Sequence, residues 1–269
     1  MKKSTNTLIK NIRLNILKLT YKAQSAHIGG SLSIVEILAI LYNETLNISP
    51  KKKKFFNRDR FILSKGHAAL ALYCTLYEKN FITKNTLDSY GEENTILMNH
   101  VSHIVPGVEF STGSLGHGLP IAIGKSLNAK KYNKKWKIYV LLSDGELNEG
   151  SNWEGLMFAA HQNLDNLTII VDYNKIQSLG YVREVINLEP LKKKFESFGC
   201  HTIEINGHNL LQIRKAFSKK VRNKPKVIIA NTIKGKGVSF MENKLLWHYK
   251  SPDKFQLKKA LIEINKRYA

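Results

Sequence analysis

An alternation in the second half of the chain most constrains its fold. Four short, apolar, β-branched runs are KIYVLLS (137–143), LTIIVDYN (167–174), HTIEI (201–205) and KVIIAN (226–231). Segments with helical spacing lie between them, near 152–163, 188–198 and 209–222. Runs this short and this continuously apolar are strands buried on both faces, and the intervening helices supply the cover. The first half fits the same scheme. Ile9, Ile12, Ile16 and Leu19 recur at helical spacing within Leu8–Ala26. SLSIVEILAILYN predicts a second, mostly buried helix. RFILS (60–64) predicts a strand, GHAALALYCTLYEKN the helix after it, and SLGHGLPIAIGKSLNAK another helix with glycines where it begins. The expected class is α/β: a doubly wound, mostly parallel sheet with helices on both faces. With no internal repeat and no low-complexity linker, residues 1–269 are expected to form one domain.

In such folds ligands collect at the carboxyl ends of the strands. Two polar residues sit at such ends. Asp144 follows the run IYVLL in LLSDGELNEG, and Asn174 ends the next strand. If those strands are neighbours, both side chains open onto one crevice. A carboxylate, an amide oxygen and a nearby backbone carbonyl make a hard oxygen site that suits Mg²⁺, which takes phosphate oxygens at its remaining positions. Gly145 lets the backbone approach a ligand and leaves amides free for an anion. STGSLGHG (111–118) is a second glycine-rich stretch opening a helix, again suited to phosphate. Together these features imply a metal-bridged diphosphate.

Composition narrows the remaining classes. The formal charge of +21 is nearly all lysine spread from end to end, with one dense run at Lys51–Lys54. The arginine-and-aromatic interleaving of single-strand nucleic-acid binders is missing. Cys74 and Cys200 are too few and too far apart for a disulfide framework or a zinc knuckle, and both are expected as buried, reduced thiols. Lys10, Arg13 and Lys18 interrupt the apolar runs of the amino-terminal segment, which lacks a signal-peptide core. No stretch of about 18 apolar residues is present to span a membrane. The expectation is a cytoplasmic protein that binds neither nucleic acid nor membrane.

The motifs resemble one family. SDGELNEG, with Asn174 thirty positions after Asp144, resembles the thiamine-diphosphate motif. AQSAHIGGSLS, ILSKGHAALALY, PGVEFSTGSLGHGL and TIKGKGVSFMENKLLWH resemble, in order, the histidine motifs, the diphosphate loop and the last histidine segment of the amino-terminal part of transketolase. The resemblance covers nearly the whole chain and stops there. The pyrimidine-binding domain, with its cofactor-activating glutamate, has no counterpart before Ala269. The resemblance therefore implies the N-terminal subunit of a split transketolase, active only with a C-terminal subunit in an α2β2 assembly. It would transfer a two-carbon ketol unit between sugars or sugar phosphates.

The family's roles carry over by position. Asp144, Asn174 and the backbone oxygen of Ile176 would hold Mg²⁺, or Ca²⁺ or Mn²⁺ in its place. Gly113, Ser114, Leu115, Gly116, Gly145 and His67 would hold the diphosphate. His27, His67, His100 and His248 would surround the thiazolium and the sugar, with His248 also touching the cofactor. Glu149 would lie near a subunit contact, and Glu146 is a candidate for the cofactor's surroundings. Imidazole suits proton exchange with sugar hydroxyls because it titrates near neutrality. Some positions depart from the family's habit. Ser143 replaces a glycine, Tyr173 an asparagine and His117 a glutamine, and His100 lacks the proline that often follows it. His161, His201 and His208 are expected to be structural or exposed. His100 and His103 have a metal-like spacing without a third ligand. Trp136, Trp153 and Trp247 are expected in packing. The alternatives are another thiamine-diphosphate enzyme subunit, of the deoxyxylulose-phosphate-synthase or 2-oxoacid E1 alpha kind, or a non-catalytic module that kept the fold.

Overall fold

A computed structural model describes residues 3–50 and 57–268, so the Lys51–Lys54 run lies outside the described residues. Five strands form one sheet: β1 (Arg60–Leu63), β2 (Ile138–Ser143), β3 (Leu167–Tyr173), β4 (His201–Asn206) and β5 (Lys226–Asn231). Their order is β1-β2-β3-β5-β4, and every pairing is parallel. All five lie on the runs expected from sequence. β2 and β3 are buried along their whole length, whereas β4 alternates between buried and partly exposed residues. That difference is physical: β4 is an edge strand, and β2 and β3 are covered on both faces.

Helices α1 (Thr5–Ala23), α2 (Ile28–Leu32), α3 (Val35–Ile40), α4 (Ala69–Glu78), α10 (Leu210–Ser218) and α11 (Lys254–Arg267) gather on one face, around Phe61, Leu63, Tyr139, Leu141, Ile170 and Ile228. Helices α6 (Gly118–Lys131), α7 (Gly150–His161) and α9 (Leu191–Ser197) cover the other, over Ile62, Val140, Leu142, Ile169, Val171, Val227 and Ile229. Two short helices complete the set, α5 (Lys84–Asp88) and α8 (Val182–Val185). β1 leads into α4 on the first face and β2 into α7 on the second. The chain thus parts at the carboxyl ends of these neighbours and opens a crevice there.

Two elements differ from the sequence reading. SLSIVEILAILYN was expected as one helix, but α2 ends at Leu32, α3 starts at Val35 and a π-helical turn follows at Leu41–Thr45. Ser33 explains the first break. Its hydroxyl reaches Gly30 O (3.0 Å) and Asp172 Oδ2 (2.7 Å), competing with the helical pattern of the backbone. Periodicity does not reveal α11, which buries only Ala260 and Ile264. The readable signal is its start: Asp253 and Gln256 form a reciprocal capping box.

Between α1 and α3 lies a buried ion pair. Arg13 is fully buried, and its Nη2 donates to both Glu36 oxygens at 2.9 and 3.0 Å. Glu36 also receives His208 Nδ1 at 3.2 Å, while His208 Nε2 accepts the Ile233 N–H at 2.8 Å. His208 is therefore structural, as its context suggested. Removing one partner of a buried pair strands the other charge. Glu36→Ala is expected to lower stability by about 3–5 kcal/mol in urea unfolding. A loss below about 1 kcal/mol, the worth of an exposed pair, would show that the interior tolerates the free guanidinium.

Candidate active site

The floor of the crevice is made by strand ends. β2 and β3 pair with Ser143 opposite Asp172, so Asp144 and Asn174 emerge side by side. Asp144 is buried. Its Oδ1 accepts the Gly145 N–H at 2.8 Å and its Oδ2 the Lys175 N–H at 2.6 Å. Lys175 takes the left-handed conformation (φ 67°), which turns the chain sharply after Asn174. Asn174 Oδ1 accepts the Ile176 N–H at 3.1 Å, and its Nδ2 donates to Asp172 at 3.0 Å. Lys234 Nζ donates to the Ile176 carbonyl at 2.8 Å. Asp144, Asn174 and Ile176 line one cleft of about 350 Å³.

The same cleft gathers all four histidines singled out in the sequence. The His27 ring lies 5.3 Å from His67, 6.0 Å from His100 and 5.0 Å from His248, centroid to centroid. They come from the α1–α2 turn, the end of β1, the loop before α6 and the turn before α11. The His27 N–H donates to His248 O (2.8 Å) and the Gly235 N–H to Gly29 O (2.9 Å), stitching the first and last of these segments together. His27 itself is left-handed (φ 68°), a conformation uncommon for a side chain of this size and held here by its neighbours. His103 is exposed and bonds Ser111, outside the cleft.

Gly113 and Leu115 line the cleft. A Cβ on Gly113 would meet the His100 ring at 3.2 Å, so the glycine permits a close approach of loop and imidazole. Ser114 is exposed, and the Gly116 N–H is committed to Glu146 Oε1 at 3.0 Å. Glu146 is fully buried and also accepts from Ser64 Oγ (2.5 Å) and Ser143 N (3.3 Å). It ties the glycine loop to the ends of β1 and β2, a bracing role. Glu149 is exposed at the start of α7.

Four residues at the cleft escape sequence reasoning. Lys65, Lys234 and Gln177 line it, and Asp172 lies beneath it. Lys65 Nζ contacts Asp172 Oδ2 (2.5 Å) and Gly30 O (3.0 Å), and Lys234 Nζ donates to His248 Nδ1 (2.8 Å). In a chain this rich in lysine, two among so many carry no signal. Asp172 is hidden inside an apolar strand run.

The electrostatics follow from burial. Burial, then His100 and the ammoniums of Lys234 and Lys65, lowers His27 to about 4. Burial and Lys234 lower His248 to about 3, and burial with Lys65 holds His67 well below its ordinary value. These three imidazoles are neutral near pH 7. Burial and then Asp172 raise Asp144 to about 6, a strain that a bound cation would relieve. Gln177 Nε2 is a buried donor without a partner among the described residues. Two ammoniums, an unmatched donor and a strained carboxylate fit an anion bridged by a hard cation. The oxygen donors number one carboxylate, one amide and one carbonyl. No group of three or more His, Cys, Asp or Glu among the described residues is arranged as a metal site. A larger cleft of about 920 Å³ adjoins at the ends of β3, β5 and β4, sharing Asn174 and Ile176. Within it Tyr173 bonds Glu189 (2.6 Å), and it holds none of the four clustered histidines.

Stability should depend on pH in a definite direction. His27, His67 and His248 take up protons more readily unfolded than folded, so stability is lost as pH falls from about 6.5 toward about 4. Asp144 acts oppositely between about 3.8 and 6, and so does Glu146, which burial raises, as two groups against three. The melting temperature is expected to fall across this window, and His248→Asn should flatten the fall. An unchanged slope in that variant would remove His248 from the account.

Residues 4–258 match the family model described as "Transketolase, thiamine diphosphate binding domain". The chain is 44% identical over 258 residues to an apulose-4-phosphate transketolase subunit of Actinobacillus succinogenes, covering 95% of this chain and 94% of the relative. It is 41% identical over 246 residues to the 6-deoxy-6-sulfo-D-fructose transketolase subunit SqwG of Clostridium sp., covering 90% of each. It superposes on the crystal structure of transketolase from Campylobacter jejuni with a TM-score of 0.92 at 31% identity, covering 97% of this chain and 42% of that one. No described helix is long and apolar enough to cross a membrane. With the family's fold, its motifs in order and relatives matched nearly end to end, this chain belongs to the transketolase family.

Proposed function

We propose that this chain is the diphosphate-binding subunit of a thiamine-diphosphate- and Mg²⁺-dependent transketolase. It would work with a separate C-terminal subunit in an α2β2 assembly in the cytoplasm, as one domain, with no nucleic-acid or membrane partner. The reaction is transfer of a two-carbon ketol unit from a ketose, or its phosphate, to an aldose. The observation that carries this reading is the cluster of His27, His67, His100 and His248 facing the wall of Asp144, Asn174 and Ile176 across one cleft. The subunit reading is supported by coverage: relatives named as subunits are matched over nearly their whole length, and a complete transketolase over 42% of its length.

In this reading Asp144, Asn174 and the Ile176 carbonyl hold Mg²⁺. Gly113, Ser114, Leu115, Gly116, Gly145, His67 and His248 border the cofactor, and Lys65 and Lys234 balance the diphosphate charge. When bound, the cofactor would supply a nucleophilic carbon and an electron sink for cleavage of a ketose carbon–carbon bond. The protein's own part is to position and exchange protons. His248 accepts from Lys234 through Nδ1, which places its proton on Nε2. The neutral imidazoles of His27 and His67 can accept hydroxyl protons and return them.

Asp144→Ala and Asn174→Ala are each expected to abolish Mg²⁺-dependent retention of thiamine diphosphate while the chain stays folded. Calorimetry on the assembled complex checks this, and unchanged affinity would remove the metal assignment. His67→Ala and His248→Ala should lower turnover by about 10²–10⁴-fold. The subunit reading has its own assay: ketol transfer with thiamine diphosphate, Mg²⁺ and a ketose–aldose pair. Transfer is expected only when the C-terminal subunit is added. Robust turnover by the purified chain alone would overturn that part of the proposal.

A further inference from the structure

Asp172 sits at the end of β3, fully buried, and it is not itself a lining residue of the cleft. Its carboxylate is nevertheless where three distant segments meet the end of β3. Oδ2 accepts from Lys65 Nζ (2.5 Å), Ser33 Oγ (2.7 Å) and Asn174 Nδ2 (3.0 Å). Oδ1 accepts from Thr232 Oγ1. Each donor is close in sequence to a residue of the cleft. Lys65 stands two positions before His67, Thr232 two before Lys234, and Ser33 six after His27. Asn174 is itself on the cleft wall.

An amide can present either its oxygen or its nitrogen to a cleft, and the two ends have nearly the same shape. A carboxylate accepts only. Placed beneath Asn174, it fixes the nitrogen inward and turns the oxygen toward the Ile176 N–H, on the cleft side. An apolar residue at 172 would leave that choice open and would leave Lys65 without its counter-charge. We propose that Asp172 is a positioning residue of the site, orienting the Asn174 oxygen toward the bound cation and holding the segments of His27, His67 and Lys234 in register. The inference rests on the functional reading above and deepens it. It concerns a residue that never touches substrate or cofactor.

The partners of metal ligands typically contribute about 10–100-fold to metal affinity. The test titrates Mg²⁺ and thiamine diphosphate into the assembled complex by calorimetry, with thermal unfolding run in parallel. Asp172→Asn is expected to weaken Mg²⁺ binding by about 10–100-fold while unfolding stays cooperative. A second variant separates orientation from mere stability. Asn174→Asp offers Mg²⁺ a charged oxygen, yet it faces Asp172 with a second carboxylate. Binding is expected to weaken, and to recover when Asp172→Asn is combined with it. Tighter Mg²⁺ binding by Asn174→Asp alone, or affinity within about twofold of the unaltered complex in a folded Asp172→Asn, would overturn the proposal. Should Asp172→Asn fail to fold, Asn174→Asp decides by itself. Failure of the unaltered complex to bind the pair would instead reject the functional reading, and this inference with it.

Discussion

One buried carboxylate organises the carboxyl end of this sheet. An ionised Asp172 sealed from water would cost several kcal/mol if left unpaired. The fold answers with an ammonium and two hydroxyls from three distant places in the chain and the amide of Asn174, two residues on. Burial alone would raise Asp172, but Lys65, with the Thr232 and Ser33 hydroxyls, holds it below its ordinary value. The requirement works in both directions. Satisfying Asp172 obliges the α2–α3 break at Ser33, the end of β1 and the segment after β5 to converge. Those are the segments that carry His27, His67 and Lys234. The helical break at Ser33 belongs to the same cause, since that hydroxyl is drawn out of the regular pattern toward Asp172.

The cleft above it combines positive charge with neutral imidazoles. Burial alone would depress the histidines, and Lys65 and Lys234 depress them further. Lys234 is itself lowered to about 8, by burial first and by Lys65 second. Such a site attracts an anion without already holding a competing carboxylate network at its mouth. Asp144 is the exception, and its raised value marks where a cation belongs. Glu146 plays the complementary part below the glycine loop, where it gathers Ser64, Ser143 and the Gly116 N–H. Two buried carboxylates thus set the shape of the site without lining it: Asp172 under the histidine side and Glu146 under the glycine loop.

The strands and the long helices are legible because each is set by local pattern. Continuous β-branched runs can only be buried strands here, and Ile9, Ile12, Ile16 and Leu19 fall on one helical face. α11 is not legible by periodicity because its apolar side is thin, with Phe255 and Ile262 facing solvent. Its capping box is the local mark it does carry. The broken second helix is illegible in principle. Ser33 finds its partner 139 positions away, and no local preference records that.

The sequence by itself determined the sheet, the residues at its strand ends and the motif set that marks the family. Those depend on spacing and residue type along the chain. Only the tertiary structure decided that β2 and β3 are neighbours, that four histidines from distant segments share one cleft, and that Lys65, Lys234 and Asp172 belong with them. Gly116 and Glu146 show the same limit. The loop glycine Gly116, read along the chain only for its place beside a phosphate, also gives its N–H to a buried glutamate. The physical reason is that a charge or donor takes its meaning from what it faces, and burial and pairing across the chain set that.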